Sequence, residues 1–284
     1  MIVVIDALNK EKFDAILKDM FQLRARVFGG RLGWDVTLED GMEIDAFDRM
    51  DPAYVIGLDD AGNVISAVRA LQTTGPHMLT DVFSDILCGE PPVRSATMWE
   101  STRFCVDTQR LGRGKEPNSV SYATCELMIG SLEYARRSGI KDIVTVIDPV
   151  MDRVLKRSDN APYGYLGETV PMGKVSALAA LLDCTPERIN NVRNFSGINH
   201  DVFLNDDDAL ALSEKKRARE QRTAGILSMN GHQHARPQSS PANDIASYCD
   251  EQIKQAPTLE ERKAALALKE ALSGLQATPR HCNA

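Results

Sequence analysis

Two charged residues lie in a segment that otherwise has the composition of a buried β-strand, WESTRFCVD at residues 99 to 107. A buried carboxylate such as Glu100 can take a proton from a reacting group, and a guanidinium such as Arg103 can bind an anion. Side chains three residues apart in a regular strand point to opposite faces, so the two can serve one site only if the strand contains a bulge. A salt bridge at a sheet edge is the alternative interpretation.

A second set of charged and aromatic residues lies closer to the N-terminus. It comprises Arg24, Phe28, Trp34, Glu43, Asp45, Asp48 and Arg69. Carboxylates and aromatic faces suit a positively charged ligand and a guanidinium suits a carboxylate, so the set matches an amino acid that bears a sulfonium. A solvated acidic loop and a packed helix end are the alternatives for its members.

A glycine turn, QRLGRG, follows the Glu100 strand at residues 109 to 114. Gly112 and Gly114 have the spacing with which acetyltransferase-like folds follow their central strand. Backbone N–H groups of such a turn, together with the N-terminus of the next helix, bind phosphate. The turn therefore predicts a site for the pyrophosphate of coenzyme A or the phosphate of phosphopantetheine, although such turns are common between strands and helices.

The order and spacing of these residues resemble the signature of the acyl-homoserine lactone synthases, the LuxI-type autoinducer synthases of bacterial quorum sensing. The matching positions are Arg24, Phe28, Trp34, Asp45, Asp48, Arg69, Glu100 and Arg103. RALQTTGPHMLTDVF and WESTRFCVD resemble stretches of that family as well, and the resemblance covers about residues 1 to 200. The chain departs from the family at Thr102, where a serine is common, and at KRSDNAPYGYLG, which replaces a usual Ala-Gly-Trp.

The resemblance implies an α/β, acetyltransferase-like (GNAT-type) fold, with a mixed, mostly antiparallel sheet flanked by helices. It also implies that the α-amine of S-adenosylmethionine attacks an acyl thioester, after which lactone closure expels methylthioadenosine. S-adenosylmethionine is then a consumed substrate, and neither a cofactor nor a metal is expected. The resemblance places Glu100, Arg103 and Glu43 in a catalytic role, and Arg24, Phe28, Trp34, Asp45, Asp48 and Arg69 around S-adenosylmethionine.

The resemblance leaves the thioester donor open between acyl carrier protein and coenzyme A. Arg103, Gly112, Gly114 and Thr145 are expected to bind the acyl and phosphopantetheine groups, with Thr145 in the strand where some relatives place a hydroxyl that favours 3-oxo chains. A basic docking face for the acidic carrier is expected at Arg110, Arg113, Lys115, Arg153, Lys156 and Arg157. Val144, Val146, Met151 and Leu155 are candidates to line the acyl chain, and are equally ordinary core residues.

Composition narrows the function further. The formal charge of −7 and pI near 5.3 argue against general nucleic-acid binding, which needs a basic face. Six cysteines without a Cys-x-x-Cys pair favour reduced thiols in the cytoplasm, and no apolar stretch approaches the ~20 residues that span a bilayer. His232 and His234 lie in a polar segment without nearby acids or cysteines, so we expect no metal there.

The expected elements supply the framework for these residues. Strands are predicted for MIVVID, YVIGL, NVISAVRAL, the Glu100 segment and KDIVTVID, and the Asp-Asp-Ala-Gly-Asn turn between YVIGL and NVISAVRAL predicts a hairpin. Helices are predicted for FDAILKDMFQLRARVF, ending near Gly29 and Gly30, for SVSYATCELMIGSLEYARRSG, with Gly139 as its stop, and for PVMDRVLKRS. A turn and a short helix are expected in TTGPHMLTDVFSDIL. We expect a synthase domain over residues 1–212. Residues 213–284 are expected to form a charged and polar linker with a helical C-terminal extension, including a helix that begins at Thr258.

Two other functions are compatible with parts of the sequence. A coenzyme A-dependent N-acyltransferase acting on another amine would account for the glycine turn but not for the charged set around Arg24. A non-catalytic regulatory relative would act through its C-terminal helices, and the complete charged set argues against lost catalysis.

Overall fold

The computed structural model of the protein describes residues 1–108, 120–172 and 175–230. Its strands are β1 Ile2–Ile5, β2 Leu38–Glu39, β3 Met42–Glu43, β4 Ala53–Leu58, β5 Val64–Gln72, β6 Met98–Val106, β7 Asp142–Ile147, β8 Gly164–Met172 and β9 Val175–Asp183. Its α-helices are α1 Asp14–Arg24, α2 Met78–Asp81, α3 Tyr122–Arg137, α4 Pro149–Arg157, α5 Pro186–Ser196 and α6 Asp206–Asn230. Shorter 3₁₀ helices lie at Lys10–Lys12, Ala46–Arg49 and Ser84–Leu87, and a π-helix lies at Ala25–Arg31.

Seven strands form one twisted sheet in the order β1-β4-β5-β6-β7-β9-β8. Among the described residues, β6 and β7 are the only neighbouring strands of this sheet that run parallel. Every other neighbouring pair is antiparallel. A parallel pair needs a crossover, and α3 supplies it. This arrangement confirms the predicted mixed, mostly antiparallel sheet flanked by helices.

Apolar side chains cover both faces of the sheet. One face packs against α3 through residues such as Val68, Leu127 and Ile143, which we call the α3 core. The other face packs against α1 through residues such as Leu23 and Ile56, which we call the α1 core. Burial on two faces fixes the strand register, because a slip of one residue would exchange the faces.

The sequence predicted most of the framework. The hairpin of β4 and β5, the short helix α2 and the helices α3 and α4 lie where the patterns placed them. Gly139 adopts a φ of +80° beyond the end of α3, as expected of a helix stop. The expected end of the first helix near Gly29 differs, because α1 continues directly into the π-helix Ala25–Arg31, which contains both glycines.

Two regions differ from the sequence interpretation. The hairpin of β8 and β9 was not predicted, although the apolar run of β9 is typical of a buried strand. The charged segment SEKKRAREQR, interpreted as part of a linker, is helical within α6. The predicted boundary between residues 212 and 213 lies inside this helix, and the first compact unit of the chain is Met1–Glu220. The predicted helix at Thr258 lies outside the described residues.

Candidate active site

A β-bulge in β6 brings Glu100 and Arg103 to one face of the sheet. The two-residue step from Ala67 to Arg69 on β5 is matched by a three-residue step from Thr102 to Cys105 on β6, and Arg103 has a φ of +56°. The extra residue changes the alternation of the strand. Trp99 and Phe104 accordingly both pack against the α3 core, although an offset of five positions would place them on opposite faces of a regular strand. The bulge that one shared site requires is therefore present.

Arg103 bridges two acidic side chains on the face opposite the α3 core. Its Nη2 lies 3.0 Å from Oε1 of Glu43 and 2.9 Å from Oδ2 of Asp45. Its guanidinium also lies over the ring of Phe28, 5.6 Å from the centroid. A planar guanidinium bonds two carboxylates through a fixed fork while its face lies over a ring, and the point charge of a lysine ammonium does not reproduce this geometry.

Arg24, the last residue of α1, binds two acids from a different direction. Its Nε donates to Oε2 of Glu43, and its two terminal nitrogens form a bidentate pair with Asp48 at 2.8 and 2.9 Å. Burial disfavours charge on Arg24, but Asp48 and Glu43 outweigh this and raise its pKa above the ordinary value. Burial likewise opposes charge on Asp48, and the neighbouring Arg24 and Arg69 nevertheless hold its pKa below the usual range.

Arg69 on β5 completes the set. It pairs with both oxygens of Asp45 and lies 2.8 Å from Oδ1 of Asp48. Its Nε donates to Oγ1 of Thr102 at 3.0 Å. The arginine–carboxylate cluster therefore contains three arginines and three carboxylates, namely Arg24, Arg69, Arg103, Glu43, Asp45 and Asp48. Its charges balance, as buried ions require.

A local capping arrangement explains why the acids of the GMEIDAFD segment converge. The side chain of Asp45 accepts from the backbone N–H of Phe47, and Asp48 accepts from the N–H of Asp45. This reciprocal capping box starts the 3₁₀ helix Ala46–Arg49 and holds both carboxylates toward Arg69. The acids are thus part of a built site and not a solvated loop.

Glu100 occupies a separate position beside the cluster. Its two oxygens accept from the backbone N–H groups of Met78 and Leu79, at 2.7 and 2.6 Å, and its side chain is fully buried. Burial raises the pKa of Glu100 to about 7, although the two N–H donors and the charge of Arg69 act in the opposite direction. A carboxyl with a pKa near neutrality can exchange a proton at physiological pH.

Phe28 and Trp34 form an aromatic pair next to the cluster. Their ring centroids lie 5.1 Å apart with an interplanar angle of 25°. Phe28 is buried in the π-helix, whereas Trp34 is 40% exposed. The backbone N–H of Trp34 donates to the carbonyl of Phe28, which fixes the loop that carries the indole. The pair offers a flat aromatic wall between the cluster and the protein surface.

Two residues that support this cluster, Tyr54 and Met78, were not identified from the sequence. Tyr54 donates from its hydroxyl to Oδ1 of Asp48 at 2.8 Å, and its ring lies edge-on to that of Phe21. Met78 places its sulfur 3.2 Å from Nη2 of Arg69. The β4–β5 hairpin register was the available signal, since it sets Tyr54 directly opposite Arg69.

Thr145 lies where the two parallel strands of the sheet separate. Four residue pairs join β6 to β7, the last being Ser101 with Thr145, and in the described residues both strands continue without further pairing to each other. The hydroxyl of Thr145 donates to the carbonyl of Ser101 at 2.9 Å. A small cavity on the same face is lined by Trp99, Ser101, Ser131 and Tyr134.

The remaining predicted residues do not all meet. Val144 and Val146 pack beneath α2, in a cluster with Leu79 and Ile86. Met151 and Leu155 pack in the α3 core instead, so the four cannot line one pocket. Arg153, Lys156 and Arg157 are exposed on α4. Gly112, Gly114, Arg110, Arg113, Lys115, His232 and His234 lie outside the described residues.

Among residues 1–108, 120–172 and 175–230, no group of His, Cys, Asp and Glu is arranged to hold a metal ion. No helix in these ranges has the length and apolar content needed to cross a membrane.

Comparisons with known proteins identify the family. The autoinducer synthase family model matches residues 8–192. An acyl-homoserine-lactone synthase of Agrobacterium fabrum is 40% identical over 172 residues, which are 61% of this chain and 81% of that protein.

Two solved structures are also similar. MesI, described as a CoA-dependent acyl-homoserine lactone synthase, is 27% identical with a TM-score of 0.61, over 71% of this chain and 98% of MesI. TofI, solved in a ternary complex with an inhibitor and MTA, is 27% identical with a TM-score of 0.56, over 68% and 96%. The bulged strand, the arginine–carboxylate cluster and these matches lead to one conclusion: the chain belongs to the autoinducer synthase family and is an acyltransferase of the acyl-homoserine-lactone synthase class.

Proposed function

We propose that the protein makes an acyl-homoserine lactone from S-adenosylmethionine and an acyl thioester. The α-amine attacks the thioester carbonyl and the thiol leaves, which gives an amide. The carboxylate oxygen of the methionine part then attacks the γ-carbon, and the C–S bond to the sulfonium breaks to release methylthioadenosine. The arginine–carboxylate cluster beside an aromatic wall and a buried carboxyl is the observation that carries this proposal.

Exposure separates the residues that would touch S-adenosylmethionine from those that support them. The side chains of Arg103 and Asp45 are 13% and 18% exposed, whereas Arg24, Glu43, Asp48 and Arg69 are at most 2% exposed. We therefore assign direct contacts to Arg103, Asp45 and the Phe28–Trp34 pair. The four buried members hold these groups in place, since removing one would leave an uncompensated buried charge.

Glu100 is proposed to accept the proton of the α-amine. An amine with a pKa near ~8 must lose a proton before it attacks, and a carboxyl with a pKa of about 7 is half ionised at neutrality. Both oxygens of Glu100 already accept from backbone N–H groups, and the side chain is buried. Each oxygen retains a further lone pair, so the proton reaches Glu100 directly after a small shift of α2 or through a bridging water.

The separation of β6 from β7 is proposed to receive the thioester arm. Unpaired backbone groups beyond Ser101 and Thr145 can bond the amides of a phosphopantetheine, much as a strand would. The acyl chain would then run past Thr145 toward Trp99 and Tyr134, whose side chains must move to admit it because the cavity there has a volume of only ≈ 10 Å³. The hydroxyl of Thr145 donates its proton to the carbonyl of Ser101, so it would have to rotate before it could donate to the 3-oxo group of an acyl chain.

The thioester donor is either an acyl carrier protein or coenzyme A, and the surface of α4 bears on this choice. Arg153, Lys156 and Arg157 give the helix a basic exposed side, which suits an acidic carrier. Lys156 already forms an ion pair with Asp152 at 2.7 Å, so it is less available to bind an acidic carrier protein. We propose a cytoplasmic enzyme and give the carrier protein as the first donor to test.

The test is product analysis by mass spectrometry with purified protein, S-adenosylmethionine and either acyl carrier protein thioesters or coenzyme A thioesters. Formation of a lactone together with methylthioadenosine is expected from one donor class. An Arg103→Lys variant should lose most of this product, and Arg137→Lys on the exposed side of α3 should keep it. An amide formed on another amine, without methylthioadenosine, would contradict the proposal and indicate an ordinary N-acyltransferase.

A further inference from the structure

We propose that the first half of α6, residues 206–220, is a positioning element of the S-adenosylmethionine pocket. This inference rests on the proposed function for the identity of the ligand. The element lies beyond the region matched by the family model, which ends at residue 192.

Apolar packing joins this half of α6 to the wall of the pocket. Ala209 is fully buried in the α1 core, the same cluster that contains Leu23, Val27 and Phe28. Leu210 and Leu212 pack against the edge of that cluster. Because closely packed interiors transmit displacement, a shift of α6 would reach the helix that carries Phe28.

Polar contacts fix the position of α6 along α1 and along the β4–β5 hairpin. Lys216 lies 2.6 Å from Asp19 of α1 and is only 13% exposed. The guanidinium of Arg219 donates to the carbonyl of Ala61 in the hairpin turn. At Gly62, in the same turn, an added Cβ would lie 2.7 Å from the carbonyl oxygen of Leu212. The hairpin and α6 are therefore in direct backbone contact.

The geometry gives these contacts a specific consequence. α1 ends at Arg24, whose guanidinium holds Glu43 and Asp48, and the π-helix that follows carries Phe28. Moving α1 would disturb the acids that position Arg103, and hence the S-adenosylmethionine side of the site. The opening between β6 and β7 lies on other elements, so binding of the thioester should be affected much less.

Two glycines with the same backbone conformation allow a matched test in the full-length protein. Gly62 and Gly139 both have a φ of +80°, but only Gly62 has a neighbour that a Cβ would strike. Gly62→Ala is expected to raise KM for S-adenosylmethionine by about tenfold, with KM for the acyl donor unchanged. Gly139→Ala carries the same backbone strain and should leave both KM values near those of the wild type.

A charge exchange provides a second, independent variant should Gly62→Ala fail to fold. Lys216→Asp should raise KM for S-adenosylmethionine, and adding Asp19→Lys should restore it. The inference is overturned if Gly62→Ala and Lys216→Asp lower the melting temperature while KM for S-adenosylmethionine stays unchanged, or if both KM values rise together. Calorimetry of S-adenosylmethionine binding to the wild type separates the two proposals, because a wild type that fails to bind it contradicts the proposed function itself.

Discussion

Arg24 and Asp48 form a bidentate ion pair, at 2.8 and 2.9 Å, with both side chains at most 2% exposed. The pair connects the end of α1 to the 3₁₀ helix Ala46–Arg49, which Asp45 caps. Its position explains how two segments distant in sequence are joined in one arginine–carboxylate cluster. Buried pairs of this kind contribute more to positioning than to net stability, because desolvation offsets much of the attraction.

Breaking this pair should be costly. We expect Asp48→Asn to lower the free energy of unfolding by about 3 kcal/mol and to abolish S-adenosylmethionine binding, because Arg24 and Arg69 both lose a charged partner. Urea denaturation and calorimetry measure the two effects. Asp51→Asn, which breaks an exposed pair with Lys10, should leave the free energy of unfolding close to that of the wild type, because solvent screens this pair. Equal effects of the two variants would refute a supporting role for the buried pair.

The activity should depend on the ionisation of Glu100. With a pKa of about 7, its carboxylate form grows as pH rises, so the rate should increase between about pH 6 and 8. Glu100→Gln cannot ionise. Its side-chain NH₂ group would also face the backbone N–H of Met78 or Leu79, so that two donors would meet without an acceptor. We expect a turnover at least about a hundredfold lower and without that rise, measured as methylthioadenosine released against pH.

Stability should show the opposite pH trend. The pKa of Glu100 is raised from 4.5 to about 7 on folding, so the folded protein holds the proton more tightly. Its contribution to the unfolding free energy is greatest below pH 4.5 and declines as pH rises to about 7. Melting temperatures of the wild type should therefore fall relative to those of Glu100→Gln across this window. If the melting temperatures of the two proteins change in parallel with pH, burial does not shift the pKa of Glu100.

The guanidinium of Arg103 should be irreplaceable by an ammonium. Arg103→Lys keeps the charge but cannot bond Glu43 and Asp45 in a planar fork while it lies over Phe28. We expect kcat/KM for S-adenosylmethionine to fall by about a hundredfold with little loss of stability, since the left-handed backbone is retained. Steady-state kinetics beside a thermal melt checks this, and wild-type kinetics in the variant would remove Arg103 from the contacts we assign.

Gly167 should tolerate no side chain, because the 3₁₀ helix Ser84–Leu87 presses on β8 there. An added Cβ would lie 1.8 Å from the carbonyl oxygen of Ile86, and the φ of Gly167 is +59°. Gly167→Ala should therefore destabilise the fold by about 2 kcal/mol more than Gly197→Ala, whose φ is +73° and whose Cβ would meet nothing within 4 Å. Denaturant melts of both variants measure the difference, and equal midpoints would exclude the contact.

Sequence patterns located the elements that carry the site, and the reason is local. The hairpin of β4 and β5 was signalled by two β-branched runs around an Asp-Asp-Ala-Gly-Asn turn, and α3 by its periodicity and its glycine stop. The β8–β9 hairpin was not found, because the exposed and half-buried residues of β8 do not alternate regularly around Gly167. The pairing of β8 with β9 depends on the apolar face of the sheet that α2 and the 3₁₀ helix Ser84–Leu87 cover.

The sequence by itself determined which residue types are available for the chemistry and in which order they occur. The spaced arginines, acids and aromatics can be identified from the sequence alone. Only the tertiary structure decided which of these residues are buried and which are partly exposed. Packing leaves Arg103 and Asp45 partly exposed and encloses Arg24, Glu43, Asp48 and Arg69, and burial raises the pKa of Glu100 to about 7. These outcomes depend on long-range packing and desolvation, which no local pattern encodes.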